Sequence, residues 1–257
     1  MGLPSELAYV FGETSSVYHR VRLISREMVA ENTMALTIER PQDFIFEAGQ
    51  NTTISIPGKH ADDLREFTIA SAPHEKDIML AMRIRNSNFK NECYALKPGS
   101  IITMRSPAGS LWKETVEPQI WISGGIGITP FRSIIRHLLH LQSPLAVTHI
   151  HSDHSRASVP FLEEFESNAT EHQGYKFFPT MTREAAKEGL RGRITGEMIA
   201  SHALAYASSC YFVVGTTSFL GAMREALSQL GVPLERVRTE RFEGYNGESH
   251  GKYSGKE

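Results

Sequence analysis

The stretch ISGGIGITPFRSI, residues 122–134, decides the fold of the second half of the chain. An apolar run ends at Ser123, three glycines then allow a tight turn, and an apolar helical pattern follows. Thr129 suits the N-cap of that helix and Pro130 suits its first helical position. The stretch therefore predicts a strand, a glycine turn and a helix, in that order.

This turn is a candidate phosphate site, because the free N–H groups of a helix start attract anions and glycines let a ligand approach closely. It is not the GxGxxG pattern, since Pro130 stands where the last glycine belongs. A standard dinucleotide fold is therefore not indicated, and a tight turn without a ligand stays an alternative. The candidate contact residues of the turn are Gly125, Ile126, Gly127, Thr129 and Pro130.

Strand and helix patterns alternate through the rest of the second half, from residue 119 onward. This alternation predicts an α/β domain with a mostly parallel sheet and helices on both faces. Gly215 follows the apolar run CYFVV, residues 210–214. Ligands of such sheets bind across the carboxyl ends of the strands, so two glycine edges on one rim favour a nucleotide.

The first half consists instead of six short strand patterns with one helical insert, NFKNECYALK, residues 88–97. Strands of this length and spacing predict a small antiparallel β-barrel, which closes its own sheet edges. The pattern changes near Thr115. We therefore predict a barrel domain over 1–115 and an α/β domain over 116–257, with a flexible extension at 1–16 and a polar tail from about 246.

Composition excludes several classes of protein. The chain has 257 residues, 40% of them hydrophobic, and a net charge of −2, which does not favour a nucleic-acid surface. No apolar run approaches the roughly 20 residues of a membrane-spanning helix, and the N-terminus does not read as a signal peptide. The two cysteines, Cys93 and Cys210, lie far apart and form no CxxC pair, so we expect no four-cysteine iron–sulfur cluster within this chain. Such sparse cysteine use is typical of a reducing compartment, and we therefore expect a cytoplasmic location.

Four motifs follow one another along the chain: REFTIAS (65–71), FKNECYALKPGS (89–100) with SPAGS (106–110), GGIGITPFRSI (124–134), and VVGTTSFLGAMREAL (213–227) with RTERFEGY (238–245). As an ordered set they resemble the ferredoxin–NADP reductase family of FAD- and NAD(P)H-dependent oxidoreductases, and the resemblance runs from about Val17 to Tyr245. It implies a flavin-binding barrel followed by a nucleotide-binding α/β domain.

The first motif implies a flavin contact. By resemblance, Arg65 pairs with the cofactor phosphate, Phe67 lies against the isoalloxazine ring and Thr68 offers its hydroxyl to the reactive ring nitrogen. Ile69 continues the same strand. The family often has tyrosine where Phe67 stands, so one hydroxyl contact is lost while the stacking is kept. An ordinary half-buried strand with a surface arginine is the alternative for this stretch by itself.

The helical insert implies a site for the flavin pyrophosphate. Phe89, Lys90 and Asn91 lie near its start, where the helix dipole favours anions, and Arg83 on the preceding strand is a further candidate. Two phosphate sites would make the flavin FAD rather than FMN. Solvated charge is the alternative for Lys90 and Arg83.

The C-terminal motif implies a cover for the other flavin face. Phe242 or Tyr245 would stack there, with core packing as the alternative for Phe242. Glu240 is the candidate for the acid near the nicotinamide, and we assign catalytic roles to Thr68 and Glu240. Val214 and Gly215 stand where many relatives have a Cys-Gly pair, which leaves hydride transfer possible because the flavin supplies the chemistry.

Thr182 and Arg183 match a Ser-Arg pair that holds the extra phosphate of NADP in the family, and a guanidinium suits a phosphate dianion. We therefore favour NADPH, with NAD as the second possibility and a solvated basic loop as the alternative without a ligand. Arg191 and Arg193 would add to the positive field.

Three histidines in THIHSDHS, residues 148–155, raise the question of a metal. The resemblance favours a nucleotide-rim loop there, so we predict no metal. The expected function is transfer of hydride from NADPH to FAD and of electrons to a separate acceptor: a ferredoxin, another iron–sulfur protein, a flavodoxin or an oxygenase component. Reduction of free flavin or a ferric chelate, and a role as an electron-transfer subunit of a larger complex, stay open.

Overall fold

The computed structural model describes residues 18–57, 60–85, 87–115, 117–184, 190–203 and 206–242. The predicted N-terminal extension, Tyr245 and the polar tail lie outside the described residues. Among the described helices none is both long and apolar enough to cross a membrane.

The first domain is a six-stranded antiparallel sheet in the order β4-β3-β6-β1-β2-β5. A bridge between Ile69 and Leu80, with Ala70 N donating to Met79 O at 2.7 Å, joins the two edge strands. The sheet therefore closes around an apolar core, which confirms the predicted barrel. Its elements are β1 Tyr18–Ala30, β2 Thr33–Ile38, β3 Asn51–Ile56, β4 His60–Thr68, β5 Ile78–Arg83, α1 Asn88–Ala95 and β6 Ile101–Arg105.

The second domain is a parallel six-stranded sheet in the order β10-β9-β8-β7-β11-β12. One apolar cluster lies on the α2 and α3 side and another on the α4 and α5 side, so helices cover both faces as predicted. The sequence did not indicate the two-residue strand β10. The elements are β7 Gln119–Gly124, α2 Thr129–His140, β8 Val147–Asp153, α3 Leu162–Glu171, β9 Tyr175–Met181, β10 Leu190–Arg191, α4 Gly196–His202, β11 Cys210–Gly215, α5 Thr217–Gln229 and β12 Val237–Arg241.

The glycine turn differs from the prediction in one respect, because Thr129 is not the N-cap of α2. A short 3₁₀ helix over Gly125–Ile128 runs directly into α2, and Ile128 already has helical backbone angles. No extended residue is therefore available as an N-cap, and the Thr129 hydroxyl instead donates to Ile126 O at 3.0 Å. Pro130 lies in the first turn, as expected.

Helix α2 holds the end of the strand that carries REFTIAS. Arg132 Nη1 donates to Ala70 O at 2.8 Å, and Ser133 Oγ donates to Ser71 O at 2.7 Å. Both donors are buried side chains of α2, and both acceptors are barrel carbonyls. The two domains are thus joined directly beside the strand on which flavin contacts are expected. The predicted boundary near Thr115 lies between β6 and β7.

Two glycines give a matched test of the turn. A Cβ at Gly127 would meet Val214 O at 2.7 Å, whereas a Cβ at Gly221, inside α5, would meet nothing within 4 Å. We expect Gly127→Ala to lower the free energy of unfolding by about 1–3 kcal/mol, because the neighbour is rigid backbone. Gly221→Ala should raise it by about 0.5–1 kcal/mol through helix propensity. Urea unfolding of both variants measures this, and equal effects would contradict the close approach.

Candidate functional site

The two predicted catalytic residues meet in the structure although 172 positions separate them in the sequence. Thr68 ends β4 of the barrel, and Glu240 lies in β12 of the second domain. The Thr68 hydroxyl donates to Glu240 Oε1 at 3.2 Å, and Thr68 is almost fully buried. This contact lies between the domains, where a ligand held by both would be placed.

Burial raises the pKa of Glu240 to about 7, against the opposing hydrogen bond from Thr68 and with a smaller contribution from Glu66. No cation is among the causes of this shift. A carboxyl group with this pKa exchanges a proton near neutral pH, which suits a group beside a reacting centre.

Glu240 also lies in the wall of a cleft of about 1010 Å³. The cleft runs between the barrel, the linker before β7 and strand β12. Its lining includes Asn51 of the barrel, Trp112 and Lys113 of the linker, and Arg238 and Glu240 of β12. Glu240 is therefore half-buried at the edge of the cleft, while Thr68 stays buried.

The aromatic residues predicted to contact the flavin come together. Phe67 stacks on Phe89 with ring centroids 6.1 Å apart, and the Arg65 guanidinium lies 5.7 Å from the Phe89 ring centroid. Both rings belong to the barrel core, as does Ile69, which is fully buried. Arg65 also forms an ion pair with Asp63. REFTIAS and the start of α1 are thus neighbours, and their flavin contacts stay predictions.

A group of cations surrounds the start of α1. Burial lowers the pKa of Lys90 to about 8, with further lowering by Arg85 and Arg65. Ser87 caps the helix by accepting from Lys90 N at 3.4 Å. A bound anion beside these three groups would offset the burial of Lys90 and the repulsion that it receives from Arg85 and Arg65. Asn91 is exposed in the same turn.

The sequence analysis missed Arg85 and Ser87. The alternation of DIMLAMRIR places Arg83 and Arg85 two residues apart, which could have indicated Arg85. Arg83 itself contacts the second domain: it forms an ion pair with Asp153 and donates to Ser158 O at 2.7 Å. The structure does not show Arg83 among the groups that shift Lys90, and its proposed role at the phosphate stays a prediction.

The predicted nucleotide contacts lie at the carboxyl ends of three parallel strands. Gly125 follows β7 with a left-handed φ of 57°, which favours glycine. Gly215 ends β11, and its carbonyl accepts from Phe242 N at 2.9 Å. Phe242 packs partly buried against the α2-side core, which is the alternative considered for it. The turn residues Gly127, Thr129 and Pro130 are buried, and Ile126 is half-buried.

Thr182 and Arg183 follow β9 on the same rim and are exposed. Thr182 N donates to Asp153 O at 2.8 Å, and Arg183 N donates to His154 O at 2.9 Å. His154 Nδ1 lies 3.3 Å from Thr182 Oγ1. The carboxyl ends of β8 and β9 therefore present hydroxyl, imidazole and guanidinium groups together.

The other two histidines of THIHSDHS are buried in β8. Ser123 Oγ lies 2.8 Å from both His149 Nε2 and His151 Nδ1, and His149 Nδ1 lies 2.9 Å from the Tyr175 hydroxyl. Burial lowers the pKa of both histidines. Within the described residues no group of three or more His, Cys, Asp or Glu side chains is arranged to hold a metal ion.

Comparison with known proteins supports the family that the motifs resemble. A family model described as "Oxidoreductase NAD-binding domain" matches residues 121–225. The 3-ketosteroid-9-alpha-monooxygenase ferredoxin reductase component of Rhodococcus rhodochrous is 27% identical over 220 residues, which are 83% of this chain and 61% of that protein. Ferredoxin--NADP reductase B of Sorangium cellulosum is 24% identical over 235 residues, 86% of this chain and 96% of that protein.

A solved structure shows the same fold. The ferredoxin NADP+ reductase of Neisseria gonorrhoeae with bound FAD and NADP matches with a TM-score of 0.78 at 18% identity, covering 87% of this chain and 98% of that one. These relatives and this structure support the ferredoxin–NADP reductase-like family that the sequence motifs resemble. The chain spans about half the length of several other matched relatives.

The raised pKa of Glu240 leads to a testable prediction about stability. Between the ordinary glutamate pKa of 4.5 and the folded value of about 7, the native state binds more protons than the unfolded state, so stability falls as pH rises. Glu240→Gln removes this loss of stability. At pH 8 the free energy of unfolding of the flavin-free variant should exceed that of the flavin-free wild type by up to about 3 kcal/mol, and at pH 4 the two values should be equal.

Urea unfolding at both pH values measures the effect. Glu163→Gln, at an exposed position of α3, is the matched control and should follow the wild type. Parallel pH profiles for Glu240→Gln and wild type would show that Glu240 titrates normally.

Proposed function

We propose that this protein is an NADPH-dependent FAD oxidoreductase that passes electrons to a separate acceptor. The observation that carries the proposal is the contact between Thr68 and Glu240, which joins the two domains beside a cleft. Both residues were assigned to the reaction from motifs far apart in the sequence. The names of the Sorangium relative and of the Neisseria structure, which contains FAD and NADP, support the same activity.

The barrel residues fit an FAD. Arg65, Arg85 and Lys90 would hold its phosphates. Burial and then the nearby Arg85 and Arg65 lower the pKa of Lys90, and a bound anion would oppose that lowering. Phe67 and Thr68 would face the ring system. When bound, FAD supplies the acceptance of a hydride and the release of single electrons. Arg65 would exchange its ion pair with Asp63 for the phosphate.

Thr68 and Glu240 can pass a proton between them. Protonated Glu240 can donate to Thr68 Oγ1 while the hydroxyl donates onward, and ionised Glu240 can accept from the same hydroxyl. Because the pKa of Glu240 is about 7, both states are populated near neutral pH. Thr68 would thus orient the flavin, and Glu240 would hold a proton at its Oε1 atom close to the reacting region.

The rim of the parallel sheet fits NADPH. The turn after β7 and the carboxyl end of β11 leave room for a nucleotide, and Thr182 and Arg183 would bind the ribose phosphate. NAD-binding sites often place an acid near the ribose hydroxyls. The nearest acid in sequence, Glu184, accepts from Arg156 N at 2.8 Å, so one of its carboxylate oxygens is already engaged by the loop after β8.

The acceptor is a separate protein in this proposal. Cys93 is buried in the barrel and Cys210 lies in the other domain, so the two cysteines do not hold an iron–sulfur cluster together. An oxygenase component is the acceptor that the names of two relatives support, the Rhodococcus protein and the glycine betaine monooxygenase reductase subunit of Pseudomonas aeruginosa. Electrons would reach it directly or through a ferredoxin. A flavodoxin, free flavin or a ferric chelate, and a place within a larger complex, are the other outcomes of an acceptor screen.

Lys90 makes FAD binding proton-linked. At pH 8 about half of the Lys90 side chains are neutral without a ligand, because its pKa is about 8. A bound phosphate would raise that pKa, so FAD binding should take up a fraction of a proton. Calorimetric titration of flavin-free protein at pH 8, in two buffers of different ionisation enthalpy, measures the uptake.

Lys90→Met should abolish the uptake and weaken FAD binding about tenfold to a hundredfold. Lys97→Met, at an exposed position after α1, is the control and should change neither. Uptake that persists in Lys90→Met would assign the proton to another group, and an absence of FAD binding in wild type would reject the proposed function.

Arg183 tests the nucleotide. Because it would contact a part of NADPH that does not react, it should stabilise the ground state and transition state equally. Arg183→Ala should raise the apparent dissociation constant for NADPH about tenfold to a hundredfold and leave the limiting rate of flavin reduction unchanged. NADH kinetics should stay the same. Rapid-mixing reduction across a concentration series of each nucleotide measures this.

Arg224→Ala is the matched control, since it removes one exposed positive charge from α5 of the same domain. Equal losses with NADH and NADPH would mean that Arg183 holds the loop rather than the phosphate. A wild-type preference for NADH would remove NADPH from the proposal.

A further inference from the structure

Asp153, at the end of β8, is a buried carboxylate that the proposed reaction does not use. It forms an ion pair with Arg83, accepts from Ser158 Oγ at 2.8 Å and from His154 N at 2.8 Å. Arg83 belongs to the barrel, whereas Asp153 belongs to the α/β domain. One buried ion pair therefore crosses the junction of the domains.

Arg83 also contacts one further residue of the barrel and one of the loop after β8. Its Nη1 atom donates to Thr33 Oγ1 at 2.7 Å and to Ser158 O at 2.7 Å. Beside it, Glu31 N donates to Ala157 O at 2.7 Å. The turn between β1 and β2 is thus attached to the loop after β8 through a charged group and a backbone hydrogen bond.

On the nucleotide side, the same residue holds the proposed phosphate-binding segment. The carbonyl of Asp153 accepts from Thr182 N at 2.8 Å and from Thr182 Oγ1 at 3.0 Å. Asp153 therefore contacts the barrel through its side chain and the Thr182 segment through its backbone. A shift of Asp153 would therefore move the Thr182 segment relative to the barrel.

Behind Asp153 lies a group of buried polar side chains. His151 Nε2 lies 3.5 Å from Asp153 Oδ2 without a hydrogen bond, and the hydroxyl of Ser123 links His151 to His149. The carboxylate itself is held by the hydrogen bonds from Ser158 Oγ and His154 N and by the ion pair with Arg83. Because a buried carboxylate without such partners is costly, these contacts restrict it to one orientation.

We propose that Asp153 is a positioning residue that fixes the Thr182–Arg183 segment relative to the flavin barrel. Its catalytic consequence rests on the proposed function, in which a nucleotide on that segment must deliver hydride to a flavin in the barrel. Hydride transfer requires reacting atoms about 3–3.5 Å apart, and a displacement of about 1 Å costs on the order of a hundredfold in rate. An ion pair that sets the distance between the two ligands therefore controls the rate.

Hydrogen exchange of the full-length chain tests the positioning without any activity. Asp153→Asn keeps the size of the side chain and removes its charge. We then expect faster exchange, by about tenfold, at the backbone amides of two segments: residues 29–33 in the barrel and residues 182–183. Both segments should be accelerated in the same variant. Glu163→Gln, which removes one exposed charge from the same domain, should leave both segments unchanged. Faster exchange in only one segment, or in neither, would overturn the proposal.

Arg83→Gln tests the same contact from the barrel and keeps the proposal testable if Asp153→Asn does not fold. It should accelerate hydrogen exchange in the same two segments. The double variant should exchange no faster than either single variant, because each single change already removes the same ion pair. Additive effects would show that the two residues act independently.

Kinetics separate positioning from general destabilisation. In Asp153→Asn we expect the limiting rate of flavin reduction at saturating NADPH to fall at least tenfold with unchanged FAD content. The rate is measured at a temperature at which thermal unfolding shows the variant and the Glu163→Gln control to be fully folded, because the loss of a largely buried charge partner lowers stability. An unchanged limiting rate would overturn the catalytic consequence. If wild type is not reduced by either nucleotide, the proposed function fails, and the exchange measurement still decides whether Asp153 couples the two segments.

Discussion

The arrangement of the site depends on the attachment of α2 to the barrel. Arg132 and Ser133 of this helix donate to the carbonyls of Ala70 and Ser71, the residues that end the REFTIAS motif. The same helix begins directly after the glycine turn. One rigid element thus holds the strand that would carry the flavin and presents the turn that would receive the nucleotide, so that the distance between the two ligands is set by the fold.

Around this attachment, charge is distributed in a way that suits the proposed reaction. Cations gather at α1, where the pyrophosphate would lie, and exposed basic residues follow β9, where the nucleotide phosphate would lie. Between them the only proposed acid is Glu240, whose pKa burial raises to about 7. Binding energy is thereby provided at the two ends of the cofactors, while the middle holds groups that can exchange a proton.

Much of this could be predicted from the sequence, because local patterns specify it. The alternation of short strands predicted the barrel, and the strand–helix alternation from residue 119 predicted the parallel sheet. Thr68 and Glu240 could be paired only because an ordered set of motifs implied a common site. The N-cap of α2 was assigned wrongly, since the 3₁₀ helix before Thr129 depends on the contact of the turn with β11.

What could not be predicted depends on contacts between distant segments. Asp153 and Arg83 are 70 positions apart, and no pattern around either indicates an ion pair. The adjacent histidines of β8 indicated a metal as one possibility, whereas Ser123 from the neighbouring strand connects them by hydrogen bonds. In each case the partner comes from an element whose position is set by the tertiary fold rather than by local sequence.

The most direct test of the account is anaerobic mixing of the FAD-loaded protein with one equivalent of NADPH, followed by the absorbance of the flavin. The account predicts that the flavin band is bleached in a single turnover, and that a subsequent addition of an oxidised iron–sulfur acceptor restores it. A protein that binds no FAD, or whose bound FAD stays oxidised with both NADPH and NADH, would contradict the account.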